Sequence, residues 1–140
     1  MSDQSAAGGT LTPDLLVTVI IRTKDRPELL DRALASVVAQ THRPLEVLVV
    51  NDGLYDVTQQ CLRHTGDLLG LRVVPAAAPG GRVSAANTGL LQAGGDAVIF
   101  LDDDDWFYPD HVSKLASALL QHPGEALAYT GVECRRADPA

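Results

Sequence analysis

The sequence has few of the residues that would indicate several common protein classes. Its two cysteines, Cys61 and Cys134, form no C-x-x-C pair, so neither a disulfide framework nor a zinc site is predicted. We expect both to be buried as small apolar side chains. Aromatic residues make up only 4% of the chain, no basic stripe accompanies them, and the net charge is −7. These features argue against nucleic-acid binding.

Long apolar segments are missing as well. No apolar run reaches the roughly 18 residues of a membrane-spanning helix, and the first sixteen residues lack the basic and apolar regions of a signal peptide. We therefore expect a cytoplasmic protein with no membrane segment. The 140 residues, 46% hydrophobic and 21% charged, suit one globular domain over 16–135. A flexible tail, 1–15, precedes this domain, and a short end, 136–140, follows it.

Short apolar runs alternate with helical patterns along the chain. The apolar runs predict five strands, at 15–23, 44–52, 71–76, 96–101 and 125–133. Apolar residues at helical spacing predict four helices, at 26–40, 57–66 and 83–94 and from Pro109 onward. Pro27 suits a first helical turn, and Ser84 is predicted to cap the third helix. The alternation predicts an α/β fold, an open and mainly parallel sheet with helices on both faces.

Three polar clusters follow predicted strands: "RTKDR" after the first, "NDG" after the second and "DDDD" after the fourth. In open parallel sheets, ligands bind outside the carboxyl ends of the strands. We therefore expect these clusters to form one site. The chain has no G-x-G-x-x-G after its first strand and no G-x-x-x-x-G-K-[ST] loop, which argues against a dinucleotide site and a P-loop.

The four adjacent aspartates, Asp102 to Asp105, raise a question of charge. Two carboxylates about 4 Å apart repel by roughly 1 kcal/mol in water and about 4 kcal/mol near a protein surface. Carboxylate oxygens suit Mg²⁺ or Mn²⁺ rather than a soft metal. Because neighbouring side chains of an extended segment point to opposite faces, Asp102 with Asp104, or Asp103 with Asp104 in a turn, are the predicted ligands. The alternative is that one or two aspartates cap the helix near Pro109.

The other two clusters suit a nucleotide. Asp52 only accepts hydrogen bonds, so it matches the imide N–H of uracil, thymine or guanine, or a ribose hydroxyl pair, and disfavours cytosine. The alternative is an Asp-Gly turn bonded to its own backbone. Thr23 and Asp25 are candidates to contact base or ribose, although a helix start explains Asp25 equally well. Arg82 is the best local cation for a diphosphate.

The residues of 17–53, "VTVIIRTKDRPELLDRALASVVAQTHRPLEVLVVNDG", followed by "GGRVSAANTGLLQAGGDAVIFLDDDDWFYPDHV", resemble the inverting family-2 glycosyltransferases of the GT-A fold. The resemblance covers roughly 17–120. It implies metal-dependent transfer of a sugar from a nucleoside-diphosphate sugar, expected to be a UDP-sugar, to an acceptor hydroxyl with inversion. The acceptor, whether saccharide, lipid-linked or protein, is not implied.

The resemblance also implies roles for single residues. Thr23, Asp25 and Asp52 correspond to the nucleoside pocket, and Arg82 lies in the loop near the diphosphate. Asp102 and Asp104 occupy the two acidic positions of the family's DxD motif, which binds the divalent cation, Mn²⁺ or Mg²⁺. The later aspartate corresponds to the metal ligand, and Asp102 or Asp103 to a ribose contact.

The chain also departs from the family's pattern. Lys24 and Asn51 stand where the family often has a polar aromatic residue and an aspartate, and no arginine directly precedes Asn87. The family's acceptor half, with the general base, follows the fifth strand, whereas this chain ends a few residues later. We therefore expect a donor-binding half that is truncated relative to a full GT-A domain and continued by more polypeptide or a second copy. The alternative is a non-catalytic nucleotide-binding module.

Overall fold

The computed structural model describes residues 14–77 and 80–135. The predicted end at 136–140 and most of the predicted tail lie outside this range. The last tail residue, Leu15, is fully buried, so the core begins one residue before the predicted domain boundary. In the part of the chain described, no helix combines the length and apolar character needed to cross a membrane.

Four strands and four helices alternate, largely where the sequence predicts them. The strands are β1 (Val17–Thr23), β2 (Leu45–Asn51), β3 (Gly70–Pro75) and β4 (Ala97–Asp102). The helices are α1 (Pro27–Val38), α2 (Thr58–Leu62), α3 (Arg82–Gln92) and α4 (His111–Gln121). Pro27 occupies the first turn of α1, as expected for a residue with a fixed φ and no N–H.

The strands form one parallel sheet in the order β3-β2-β1-β4. The register aligns the carboxyl ends of the central strands, with Thr23 opposite Asn51 and Arg22 opposite Asp102. The order reverses between β1 and β4, because β2 and β3 lie on one side of β1 and β4 on the other. Such a switch point opens a crevice at the carboxyl ends of the strands.

The two faces of the sheet bury different amounts of apolar surface. The face covered by α1, α2 and α4, here called the three-helix face, carries a continuous cluster that includes Val19, Ile21 and Leu34, all fully buried. The opposite face, here called the α3 face, buries a small cluster made of Ile20, Val50, Val74 and Ala85. The alternation of strand side chains explains the division, since Ile20 and Ile21 are neighbours on β1.

The predicted fifth strand, 125–133, does not form in the structure. Leu127, Tyr129 and Val132 are 76%, 86% and 89% exposed, and with β4 and α4 the start of this segment lines an apolar cleft of about 600 Å³. The apolar pattern favours a strand, but a strand forms only when it hydrogen-bonds to a neighbour. The segment does not pair with β4, and the outward side chains Val98 and Phe100 of β4 remain about 42% and 41% exposed.

Two local predictions are also wrong. Ser84 does not cap α3; Gly81 precedes its first residue with φ of 118°, and the Ser84 hydroxyl donates to the carbonyl of Ala77 at 2.6 Å. Cys61 is buried as expected, and burial raises the pKa of its thiol to about 11, but Cys134 is exposed. The exposure follows from the missing fifth strand, because Cys134 lies just beyond it.

Candidate functional site

A cleft of about 360 Å³ opens at the carboxyl ends of β1, β2 and β4. It brings together five of the predicted site residues: Thr23, Asp52, Arg82, Asp102 and Asp104. It also contains three basic residues that flank or end β1: Arg22, Lys24 and Arg26. Asp25 and Asp103, which the sequence also predicts as site residues, do not line it.

The four aspartates form a tight turn at the end of β4. The backbone N–H of Asp105 donates to the carbonyl of Asp102 at 3.0 Å, so the chain reverses within the cluster. One carboxylate oxygen from each of Asp102, Asp104 and Asp105 lies within 4.8 Å of the other two. This hard-oxygen donor set suits Mg²⁺ or Mn²⁺. Asp105 completes the set, and the sequence analysis missed it because only a turn, not an extended strand, brings it back to Asp102.

The position of Asp105 in this turn raises the pKa of its carboxyl group. Partial burial, followed by the negative charges of Asp104, Asp102 and Asp103, raises the pKa of the Asp105 carboxyl above its ordinary value. The ionised form is therefore disfavoured in the folded chain. A cation bound at this turn would reverse that effect by favouring the carboxylate.

Asp103 points away from the other three aspartates and into the protein. It is 1% exposed, accepts a hydrogen bond from the Thr23 hydroxyl at 2.8 Å, and is bonded through both its oxygens to the Arg26 guanidinium. The bidentate Arg26 contact and the Thr23 hydroxyl neutralise and solvate this buried carboxylate. Part of the repulsion in the cluster is thus relieved internally. The predicted contact of Asp103 with a ligand stays a prediction.

Asp52 lies on the other side of the cleft, after β2. Its Oδ2 accepts the backbone N–H of Gly81 at 3.0 Å, and its own N–H donates to the carbonyl of Thr23 at 2.9 Å. A Cβ added to Gly80 would lie 2.4 Å from Asp52 Oδ1, so the loop before α3 passes this carboxylate too closely for a side chain. The self-bonded Asp-Gly turn is not the arrangement seen, because Asn51 rather than Asp52 accepts the Gly53 N–H.

Asp25 joins two loops of the rim. Its Oδ1 accepts the backbone N–H groups of Leu54 and Tyr55, at 2.7 and 2.8 Å. The alternative that Asp25 begins the helix is therefore wrong, since α1 begins at Pro27 after Arg26. Asp25 holds a left-handed backbone conformation with φ of 53°, and a Cβ on Gly53 would lie 2.5 Å from its carboxylate. Asp25 thus stabilises two loops beside the cleft without lining the cleft itself.

Two cations of the cleft have no internal partner in the structure. Arg82 is the first residue of α3, and neither its guanidinium nor the Lys24 amine forms an ion pair or hydrogen bond within 14–77 and 80–135. Arg22 is different, because it forms a salt bridge with Asp102. Arg22 is not among the site residues predicted from the sequence. The signal available was a charged residue inside the otherwise apolar run of β1.

Comparison with known proteins agrees with the fold and identifies the family. A family model described as "Glycosyl transferase family 2" matches residues 18–137. The chain is 36% identical over 122 residues to validoxylamine A glucosyltransferase of Streptomyces hygroscopicus subsp. limoneus, covering 85% of this chain and 26% of that protein. It spans between 16% and 38% of the lengths of the curated relatives it matches.

Three solved structures, of two proteins, are similar in both fold and sequence. S. aureus TarS 1-349 gives a TM-score of 0.65 at 28% identity, over 77% of this chain and 33% of that one. The same protein in complex with UDP-GlcNAc gives 0.62 at 27% identity, over 77% and 32%. The mannosyltransferase PcManGT from Pyrobaculum calidifontis, in complex with GDP-Man and Mn²⁺, gives 0.63 at 28% identity, over 74% and 31%.

These matches confirm the predicted fold class, a GT-A-like α/β sheet that is truncated relative to the full glycosyltransferase chains. They also confirm the resemblance drawn from the motifs around β1, β2 and β4. Because the family model matches most of its length, this chain belongs to glycosyl transferase family 2.

Proposed function

We propose that the cleft binds the nucleoside-diphosphate part of a UDP-sugar together with a divalent cation, and that the chain is the donor-binding half of an inverting glycosyltransferase. The observation that carries the proposal is the composition of the cleft at the switch point between β1 and β4. It combines a carboxylate for the base, unpaired cations for the diphosphate and an acidic turn for the cation.

Asp52 is the proposed base-recognising residue. A carboxylate accepts but does not donate, so it binds uracil or guanine through the imide N–H and repels the ring acceptor of cytosine. The similar structures have been solved with UDP-GlcNAc and GDP-Man, whose bases both carry such an N–H. The Asp52 Oδ2 accepts from the Gly81 N–H and its Oδ1 lies close to Gly80, so the loop before α3 holds the carboxylate in place at the cleft.

Lys24 and Arg82 are the proposed diphosphate contacts. Both line the cleft and both lack an ion-pair partner within the described ranges, so neither has to break an internal salt bridge to bind an anion. The Arg82 guanidinium matches phosphate oxygens in a bidentate way, and the Lys24 ammonium acts as a point charge. Thr23 remains a proposed nucleoside contact, because it lines the cleft even though its hydroxyl donates to Asp103.

Asp102, Asp104 and Asp105 would hold the divalent cation, which would neutralise charge on the departing nucleoside diphosphate. The chain's own contribution is to fix three carboxylates at one turn and to present two cations beside them, so that negative charge on the leaving group is stabilised. We assign no general base to a residue of 14–77 or 80–135. His111, the histidine nearest the turn in sequence, stacks on the Phe107 ring with centroids 4.4 Å apart.

Isothermal titration of UDP, GDP and CDP into the chain, with and without Mn²⁺, tests the proposal. We expect Mn²⁺-dependent binding of UDP, with CDP at least tenfold weaker because Asp52 meets an acceptor. Asp52→Ala and Asp104→Ala should each abolish most of the UDP affinity. Asp67→Ala is the matched control, because Asp67 is exposed and pairs only with Arg43.

Equal affinity for the three nucleotides with no effect of Mn²⁺ would contradict the proposal. A second measurement distinguishes a transferase from the alternative, a non-catalytic nucleotide-binding module. Release of UDP from UDP-sugars, followed with and without candidate acceptors, supports the transferase. Its absence alongside intact UDP binding would favour the module.

A further inference from the structure

Arg22 holds an unusual position in the site. It lies on β1 among apolar and hydroxyl side chains, and it faces the cleft on the α3 face with its side chain 24% exposed. One of its terminal nitrogens bonds to Asp102 Oδ1, and the other lies 3.4 Å from the carbonyl oxygen of Arg82. Its Nε is buried and has no hydrogen-bond partner in the structure as described.

The register of the sheet explains the pairing. Arg22 and Asp102 are directly opposite on the neighbouring strands β1 and β4, so their side chains leave the sheet on the same face. Asp102 is also one of the three aspartates whose oxygens converge within 4.8 Å. The guanidinium and a divalent cation therefore require the same carboxylate.

We propose that Arg22 is a positioning residue that competes with the divalent cation for Asp102 and turns to the diphosphate when the cation is bound. The second half of this proposal rests on the proposed function. Without ligand, Arg22 neutralises Asp102 and relieves the repulsion of the aspartate turn. With ligand, the released guanidinium joins Lys24 and Arg82, which line the same cleft and form no ion pair with another described residue.

This arrangement couples two ligands at one site. The cation alone has to displace Arg22 from Asp102, whereas in the presence of a diphosphate the displaced guanidinium gains a new anionic partner. Cation and nucleotide should therefore each strengthen the binding of the other by the same factor. A merely structural arginine would not produce this coupling, and the effect of its removal on cation binding would not depend on Asp102.

Titration of Mn²⁺ alone, followed by the electron paramagnetic resonance signal of free Mn²⁺, tests the competition in the full chain. We expect Arg22→Met to bind Mn²⁺ about fivefold more tightly than wild type, the effect of removing one partly exposed salt bridge. Arg22→Lys keeps the charge and should lie near wild type. Arg72→Met is the matched control, because Arg72 pairs with Glu46 on the α3 face, outside the cleft, and its loss changes the net charge equally.

UDP binding in saturating Mn²⁺ tests the second half. Arg22→Met should weaken it about fivefold, while Arg72→Met leaves it unchanged. In an Asp102→Asn background, Arg22→Met should no longer tighten Mn²⁺ binding, since the shared carboxylate is gone. Circular dichroism of each variant verifies that it is folded, and Arg22→Gln, which also removes the charge, carries the test if the methionine variant is not.

Mn²⁺ affinity of Arg22→Met equal to or weaker than that of Arg72→Met would overturn the proposal. The same holds if the tightening persists in the Asp102→Asn background, because the competition would then not involve Asp102. If the proposed function itself is wrong, the measurements will differ from these outcomes. Wild type would bind no UDP in Mn²⁺, while the effect of Arg22→Met on Mn²⁺ alone would still support competition for Asp102.

Discussion

The two faces of the sheet differ in how much apolar surface they bury and in how much charge they carry. In the part of the chain described, the apolar cluster on the three-helix face contains sixteen buried residues, whereas the cluster on the α3 face contains four. Polar and charged side chains occupy the α3 face instead, with the hydrogen-bonded pair Thr18 and Glu46 near the start of the central strands and the salt bridge between Arg22 and Asp102 at their end. Stability therefore comes mainly from one face, and the other is free to carry charge.

The four-aspartate turn follows the same division. Asp103 joins Thr23 and Arg26 behind the turn, where its carboxylate is buried and fully bonded. Asp102, on the α3 face, reaches the cleft with Asp104, and a carboxylate oxygen of Asp105 lies within 4.8 Å of theirs. One residue of the run thus stabilises the fold, and three present their charge to solvent. Three substitutions, taken in order of expected effect, test this comparison.

The largest effect is expected for Leu34→Ala. Leu34 is fully buried on α1 within the three-helix cluster, so truncation should lower the free energy of unfolding by about 2–5 kcal/mol. Leu91→Ala on α3 is the matched control, because Leu91 is 88% exposed and its loss should change stability by less than about 0.5 kcal/mol. Urea denaturation measures both. Similar losses for the two variants would mean that burial in the three-helix cluster is not what stabilises the chain.

Asp103→Asn should have the next largest effect. It removes the charge that the Arg26 guanidinium neutralises behind the turn, and we expect a loss of about 1–3 kcal/mol in the free energy of unfolding. Asp104→Asn, which breaks only a 3.5 Å contact with Arg26 at an exposed site, should change stability little. For Mn²⁺ affinity we expect the opposite order, with a larger loss in Asp104→Asn than in Asp103→Asn. Equal stability losses would show that the two aspartates are not distinguished by burial.

The smallest effect concerns pH. Because the pKa of Asp105 is raised in the folded chain, its contribution to stability is present below the unfolded pKa of about 3.9 and is lost as pH rises through the folded value. Asp105→Asn should therefore stabilise the chain at pH 7, by less than about 1 kcal/mol because the side chain is exposed. The gain should vanish below about pH 4. Denaturation at both pH values in a chelating buffer measures it, and a less stable variant at pH 7 would contradict it.

Much of the fold could be predicted from the sequence because its signals are local. The apolar runs of β1, β2, β3 and β4 and the helical spacing between them specify an alternating α/β chain, and alternation specifies a parallel sheet. The failure at 125–133 has a physical cause. An apolar pattern records the preference of a segment, but pairing depends on a neighbouring edge that the pattern does not reveal.

The sequence predicts where the candidate site lies better than it predicts which side chains contact one another there. Thr23, Asp52, Arg82, Asp102 and Asp104 meet in the cleft because strand ends meet at one edge of a parallel sheet. The directions of Asp25 and Asp103 depend on a left-handed residue and a turn, which composition does not specify. Arg22 depends on register, since only the alignment of β1 with β4 shows which aspartate it faces.

The contacts of Asp25 have a consequence for how the cleft meets a ligand. By bonding the N–H groups of Leu54 and Tyr55, Asp25 makes the turns after β1 and β2 a single unit, and the bond from Asp52 N–H to Thr23 strengthens it. The entropy of ordering this wall of the cleft is therefore lost during folding rather than at encounter with a nucleotide. Preorganisation of this kind favours affinity without new contacts, because a nucleotide that enters the cleft does not have to order this wall.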